Sequence, residues 1–149
     1  MPEKKSPIEA ALKIISRRRL SSIEIEKKMK RAGYSEEEVH SAIEYLRNSN
    51  YLNDAELLSD YINYLIEKRL YGPERVIAYL RQKGFEPNLI RETMFRLYGD
   101  EQFIKSAERL ISKKIKDSDL KEPEIKGKAI RILTYNGYNW EIIERVLNR

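Results

Sequence analysis

The 149-residue chain has no cysteine and a single histidine, His40. Without cysteine there is no disulfide framework, no thiolate metal site and no Cys/His nucleophilic pair. One histidine cannot build a His-rich metal centre. The six glycines are scattered, and no two stand close enough to form a phosphate-cradling loop. No apolar run approaches the roughly 18 residues of a membrane span. The opening "MPEKKSPIEA" lacks the apolar stretch of a signal peptide. No segment alternates apolar and polar residues as a half-buried strand would. These absences argue against an enzyme: no catalytic, cofactor-binding or metal-ligating residue is expected, and the expected compartment is the cytoplasm.

What is present is helical spacing. Val39, Ala42, Ile43 and Leu46 recur at i, i+3, i+4 and i+7, as do Leu58, Tyr61, Ile62 and Leu65. Breakers and caps cut the chain into nine predicted helices, near 7–19, 22–32, 36–48, 54–70, 73–83, 87–98, 100–115, 123–136 and 139–148. Ser21 or Ser22, Ser35 and Asp54 stand where helices need side-chain acceptors. Pro73, Pro87 and Pro123 suit first helical positions. The polar run "KDSDLKEPE" is the longest predicted loop.

The pattern repeats. With Gly33, Gly84 and Gly137 in register, four apolar columns line up: Met29, Leu80 and Leu133; Tyr34, Phe85 and Tyr138; Val39, Ile90 and Ile143; Ile43, Met94 and Leu147. Each glycine ends a short helix in a left-handed turn, and the following aromatic packs back across it. The predicted fold is therefore all-α: three tandem three-helix repeats, residues 1–50, 51–99 and 100–149.

Helix, glycine turn and helix is also the order of a DNA-reading helix-turn-helix. Here the second helix opens with "SEEEVH" in the first repeat, and Glu36, Glu37 and Glu38 would repel phosphate. The turn reads as a packing joint. His40, beside these acidic residues, reads as a surface residue.

Charge is high and mixed, 29 Lys+Arg against 24 Asp+Glu, net +5. An acidic partner is implied, nucleic acid or acidic protein. Basic residues near the repeat joints are the candidate partner-binding set: Arg17, Arg18, Lys28, Arg31, Lys68, Arg69, Arg75, Arg81, Lys83, Lys128 and Arg131. Tyr71, between Arg69 and Pro73, joins them as a candidate stacking residue. The bland reading of each cluster is a solvated face, or cations complementing a helix C-terminus.

Several stretches resemble one family. "RLYGPERVIAYLRQKGF" (Arg69 to Phe85) is similar to a Gly-x-x-x-Ile-x-x-x-Leu-x-x-x-Gly motif, here Gly72, Val76, Leu80 and Gly84 with Ile77 beside the middle position. "YLNDAELLSDYI" (Tyr51 to Ile62) resembles the segment opening the middle repeat, with Asn53 where Asp is common. "RRRLSSIEIEKKMKRAGY" (Arg17 to Tyr34) and "KGKAIRILTYNGYNWEIIERVLN" resemble the first and last repeats. Together, over about residues 8–149, the chain resembles the RecX regulatory proteins. That resemblance implies three tandem three-helix repeats in an elongated, curved array, and a non-enzymatic modulator of the RecA recombinase, active in homologous recombination and DNA repair. Such a protein binds within the groove of the RecA–DNA filament, suppresses ATP hydrolysis and strand exchange, and limits filament growth. A monomer is expected. The alternative is a non-sequence-specific DNA-binding architectural module that uses the basic surface on single- or double-stranded DNA.

Overall fold

Side chains that satisfy free backbone groups at helix ends set the boundaries here. A computed structural model describes residues 5–116, 119 and 121–148. Among them it forms nine α-helices and no strand: α1 (Pro7–Arg17), α2 (Ser22–Arg31), α3 (Glu36–Asn48), α4 (Asp54–Glu67), α5 (Pro73–Gln82), α6 (Pro87–Leu97), α7 (Asp100–Lys114), α8 (Pro123–Tyr135) and α9 (Trp140–Leu147). In the predicted loop, Asp117, Ser118 and Leu120 lie outside the described residues.

Ser21 and Ser35 each close a capping box. Their hydroxyls accept from the backbone N–H of Glu24 and Glu38, whose carboxylates accept in return from the serine N–H. One cap differs from the sequence reading. Asn53, not Asp54, caps α4: its Oδ1 accepts from the Glu56 N–H at 3.1 Å. Asp54 reaches back instead to Ser22 at the start of α2, accepting from its N–H at 3.0 Å and its hydroxyl at 2.6 Å. An amide oxygen suffices for a cap, and the carboxylate goes to the positive end of another helix. Two helices stop more than one residue short of their predicted ends. Arg18 turns extended after α1. Leu70 beyond α4 adopts a left-handed φ of 55°.

The glycine joints form as the register predicts. Gly33, Gly84 and Gly137 have φ of 96°, 97° and 92°. In the first and third, paired bonds close the helix end. Gly33 N–H donates to Lys30 O and Tyr34 N–H to Met29 O; Gly137 N–H donates to Thr134 O and Tyr138 N–H to Leu133 O. This double closure satisfies two otherwise free carbonyls and requires a left-handed residue, which glycine adopts without a Cβ clash. The apolar columns around the joints are buried, apart from a partly exposed Leu147. Each fully buried side chain of this size stabilises by roughly 1.5–3 kcal/mol.

The chain divides into two compact units. The first comprises Met1–Leu58 with Lys83–Phe85, the second Ser59–Gln82 with Glu86–Arg149. In the first, α1, α2 and α3 pack on one another around Ala11, Ile25, Met29, Val39 and Leu46. In the second, α5 packs on α6, and α7, α8 and α9 pack together.

Each unit contains the same docking joint. In the first, the Ser21 hydroxyl donates to Lys83 O at 3.2 Å, and a Cβ on Gly84 would come within 2.6 Å of Ile23. In the second, Gly72 N–H donates to Asn136 O at 2.7 Å and Glu74 N–H to Gly137 O at 3.0 Å. There a Cβ on Gly72 would lie 2.6 Å from the Gly137 backbone. Ser21 and Gly72 precede Gly33 and Gly84 by the same number of residues. A glycine turn thus meets the start of an earlier helix at equivalent positions in both units.

Candidate partner-binding surface

In the first unit, Ala10, Lys13, Ile14 and Arg17 recur along one face of α1, and Lys28 and Ala32 stand one turn apart at the end of α2. With Lys5, Arg18, Leu20 and Tyr34 they line an open pocket of about 430 Å³. Its exposed rim carries five cations, Lys5, Lys13, Arg17, Arg18 and Lys28, together with Ala32; its floor is Ala10, Ile14, Leu20 and Tyr34. The Tyr34 hydroxyl donates to Lys5 O at 2.7 Å, tying the segment ahead of α1 to the turn after α2. Arg18 pairs with Glu24 at 3.8 Å. Crowding of like charge is felt at Lys13. A hydrogen bond with Lys5, then the charges of Lys5 and Arg17, pull its ammonium below the usual lysine range.

Arg31 is exposed on α2, outside this pocket. Lys83 is half-buried, and its carbonyl serves the docking joint.

In the second unit the basic residues gather around aromatic rings. Arg75 lies between two tyrosines, its guanidinium carbon 4.2 Å from the Tyr71 ring centroid and 4.8 Å from that of Tyr135. It also donates to Asn136 Oδ1 at 2.9 Å. Arg69 stacks on Tyr71 at 5.3 Å and donates to its hydroxyl at 3.1 Å. A hydrogen bond with Tyr64, then the influence of Tyr71, keeps Arg69 still more firmly protonated. The Tyr71 ring, 5% exposed, also meets Tyr79 edge-on. It therefore anchors two arginines and offers no open face for stacking. Tyr135 is the exposed ring, at 75%.

Lys128 and Arg131 line a shallow pocket of about 310 Å³ with Lys114, Ile132, Tyr135 and Asn136. Lys68 and Arg81 are exposed, and neither lines this pocket. Tyr34, Tyr98 and Tyr138 are buried, whereas Tyr51 is 58% exposed. His40 is exposed.

Lys5, Lys13, Lys114 and Tyr135 are outside the candidate set read from the sequence, and the structure places them beside its members. Lys13 was visible as the residue one turn before Arg17. Tyr135 carried no signal beyond its place ahead of the Asn136–Gly137 turn. Among the described residues no group of three His, Cys, Asp or Glu side chains is placed to hold a metal ion, and no helix is long and apolar enough to cross a membrane.

Residues 8–46 match the family model "RecX, first three-helix domain". The regulatory protein RecX of Legionella pneumophila (strain Corby) is 30% identical over 139 residues, covering 93% of this chain and 90% of the relative. The regulatory protein RecX of Vibrio parahaemolyticus is 28% identical over 140 residues, covering 94% and 88%. The crystal structure of RecX from Lactobacillus salivarius superposes with a TM-score of 0.85 at 20% identity, over 95% of this chain and 92% of that one. At that identity the superposition bears on the fold, an all-α arrangement of repeated helices.

Proposed function

Because the chain belongs to the RecX family of regulatory proteins, we propose that it binds the RecA–DNA filament in its groove and inhibits RecA. The steps inhibited are ATP hydrolysis, filament extension and strand exchange. The observation that carries this reading is family membership over nearly the whole chain. The exposed cations of both units support it. A helical polymer repeats its surface, so several modest contacts from one chain sum to useful affinity. Cations on exposed faces suit acidic protein or phosphate in such a groove. The chain acts without catalysis of its own, in the cytoplasm and as a monomer, with repeats at 1–50, 51–99 and 100–149. The partner-binding residues proposed are the basic set together with Tyr71, which acts by holding Arg69 and Arg75. Strand exchange between RecA-coated single-stranded DNA and a homologous duplex tests the reading. Inhibition at amounts stoichiometric with RecA is expected; unchanged product formation would count against it.

A second reading, a DNA-binding architectural module, is favoured by one feature. The exposed Tyr135 carries Arg75 on its ring and stands beside Lys114, Lys128 and Arg131. Cations beside an open aromatic ring suit single-stranded nucleic acid. Affinity for naked DNA should then fall steeply with salt. Naked DNA bound as tightly as the filament would favour this reading.

A further inference from the structure

The cation-rimmed pocket of the first unit has a composition that neither reading explains. A phosphate backbone needs cations but no apolar floor, and nucleobases need flat aromatic faces. This floor is mostly aliphatic, with Ala10, Ile14 and Leu20. Its one aromatic, Tyr34, is 8% exposed, so its ring is no platform. The rim is nonetheless strongly cationic. Among the described residues, no ion pair to a carboxylate is formed by Lys5, Lys13, Arg17 or Lys28, and only Arg18 has one, to Glu24.

Helix-end electrostatics account for part of this rim only. Arg17 and Lys28 lie in the last turns of α1 and α2, where a cation complements the negative helix end. Lys13 is in mid-helix. Lys5 precedes α1, at the end where a cation is unfavourable. The lowered affinity of Lys13 for its proton is a further sign of crowding that a bound anion would relieve.

We propose that this pocket captures an acidic polypeptide segment carrying one apolar anchor. The anchor side chain fills the aliphatic floor, and flanking Asp or Glu carboxylates meet the rim of Lys5, Lys13, Arg17, Arg18 and Lys28. A pocket of about 430 Å³ falls within the range of ligand-sized clefts, about 300–1,000 Å³. An apolar anchor with charges around it is how grooves select short segments: the anchor supplies affinity and the charges set orientation. The inference deepens the partner-binding reading by naming the chemistry that one part of the basic surface recognises.

The test uses the full chain and a fluorescein-labelled peptide of about ten residues, Asp and Glu throughout except for one central Phe. Anisotropy is recorded at low salt. Saturable binding is expected. Replacing the peptide's Phe by Ala should weaken it about tenfold or more, as should Lys13→Glu with Lys28→Glu in the protein. Ala32→Phe, which places a ring over the floor from the exposed rim and leaves every cation in place, should weaken it comparably. Circular dichroism checks that both variants stay helical. Oligothymidylate of equal charge should not displace the peptide. The proposal is overturned if Phe and Ala peptides bind alike, if Ala32→Phe binds as the unaltered chain does, or if oligothymidylate competes on equal terms. A chain that inhibits RecA yet ignores the peptide overturns the pocket assignment and leaves the regulatory reading standing. A chain that captures the peptide yet leaves RecA untouched supports the pocket and sinks the regulatory reading.

Discussion

At the scale of single residues, the fold rests on a few backbone positions and buried hydroxyls. Gly84 combines a φ of 97° with a neighbour, Ile23, that a Cβ would strike. Gly84→Val should lower stability by at least about 1–3 kcal/mol from the left-handed conformation alone, more with the clash. Urea unfolding reads that loss, and a stably folded variant that had lost only partner binding would contradict the joint. Tyr138 donates to Leu70 O at 2.9 Å in a buried site. Leu70 itself holds a left-handed φ that a bulky side chain disfavours. Tyr138→Phe leaves that carbonyl unsatisfied and should cost about 1–3 kcal/mol. Burial, and then the Glu67 charge, push the Tyr98 phenol up to about 12. Its unfolded value is about 10. Between those values the unfolded chain has released a proton that the folded chain retains, so Tyr98 lowers stability as pH rises through that window. The stability difference between the natural chain and Tyr98→Phe should shrink from pH ~10 to pH ~12; a constant difference would refute the burial argument.

At the scale of elements, two serines with identical capping boxes separate a local role from a docking role. Ser35 is exposed and caps α3 only. Ser21 is 1% exposed, caps α2 and also donates to Lys83 O. Ser35→Ala should cost about 1 kcal/mol, the ordinary loss of a cap. Ser21→Ala should cost about 1 kcal/mol more, because it also removes a partly buried hydrogen bond. Equal losses in thermal unfolding would deny the joint its energetic role. Much of the element level was legible in the sequence. The serine caps, the helix-starting prolines and the three glycines gave nine helices within a few residues of their ends, because these signals act over one turn. Asn53 and Asp54 were misread because either can cap, and the choice depends on Ser22, thirty-two residues away. The cation pocket was legible only in part. Lys13 and Arg17 share a helix face, but Lys5, Lys28 and Tyr34 join them only once α1 lies against α2. The sequence likewise gave no hint that the Tyr71 ring would be covered by arginines and Tyr135 left open.

At the scale of the whole molecule, the proposed binding depends on how many cations the folded units present. No third of the sequence is strongly basic, so a net charge of +5 works only through placement. Reversing four charges, Arg17→Glu, Arg18→Glu, Lys128→Glu and Arg131→Glu, should weaken RecA inhibition about tenfold or more while helicity is retained. Undiminished inhibition by that variant would place the contact surface elsewhere. The most direct test of the central claim is the ATPase rate of RecA assembled on single-stranded DNA as the chain is titrated in. A fall that approaches completion near stoichiometric amounts is the predicted result. A rate that stays level throughout the titration would contradict the regulatory role.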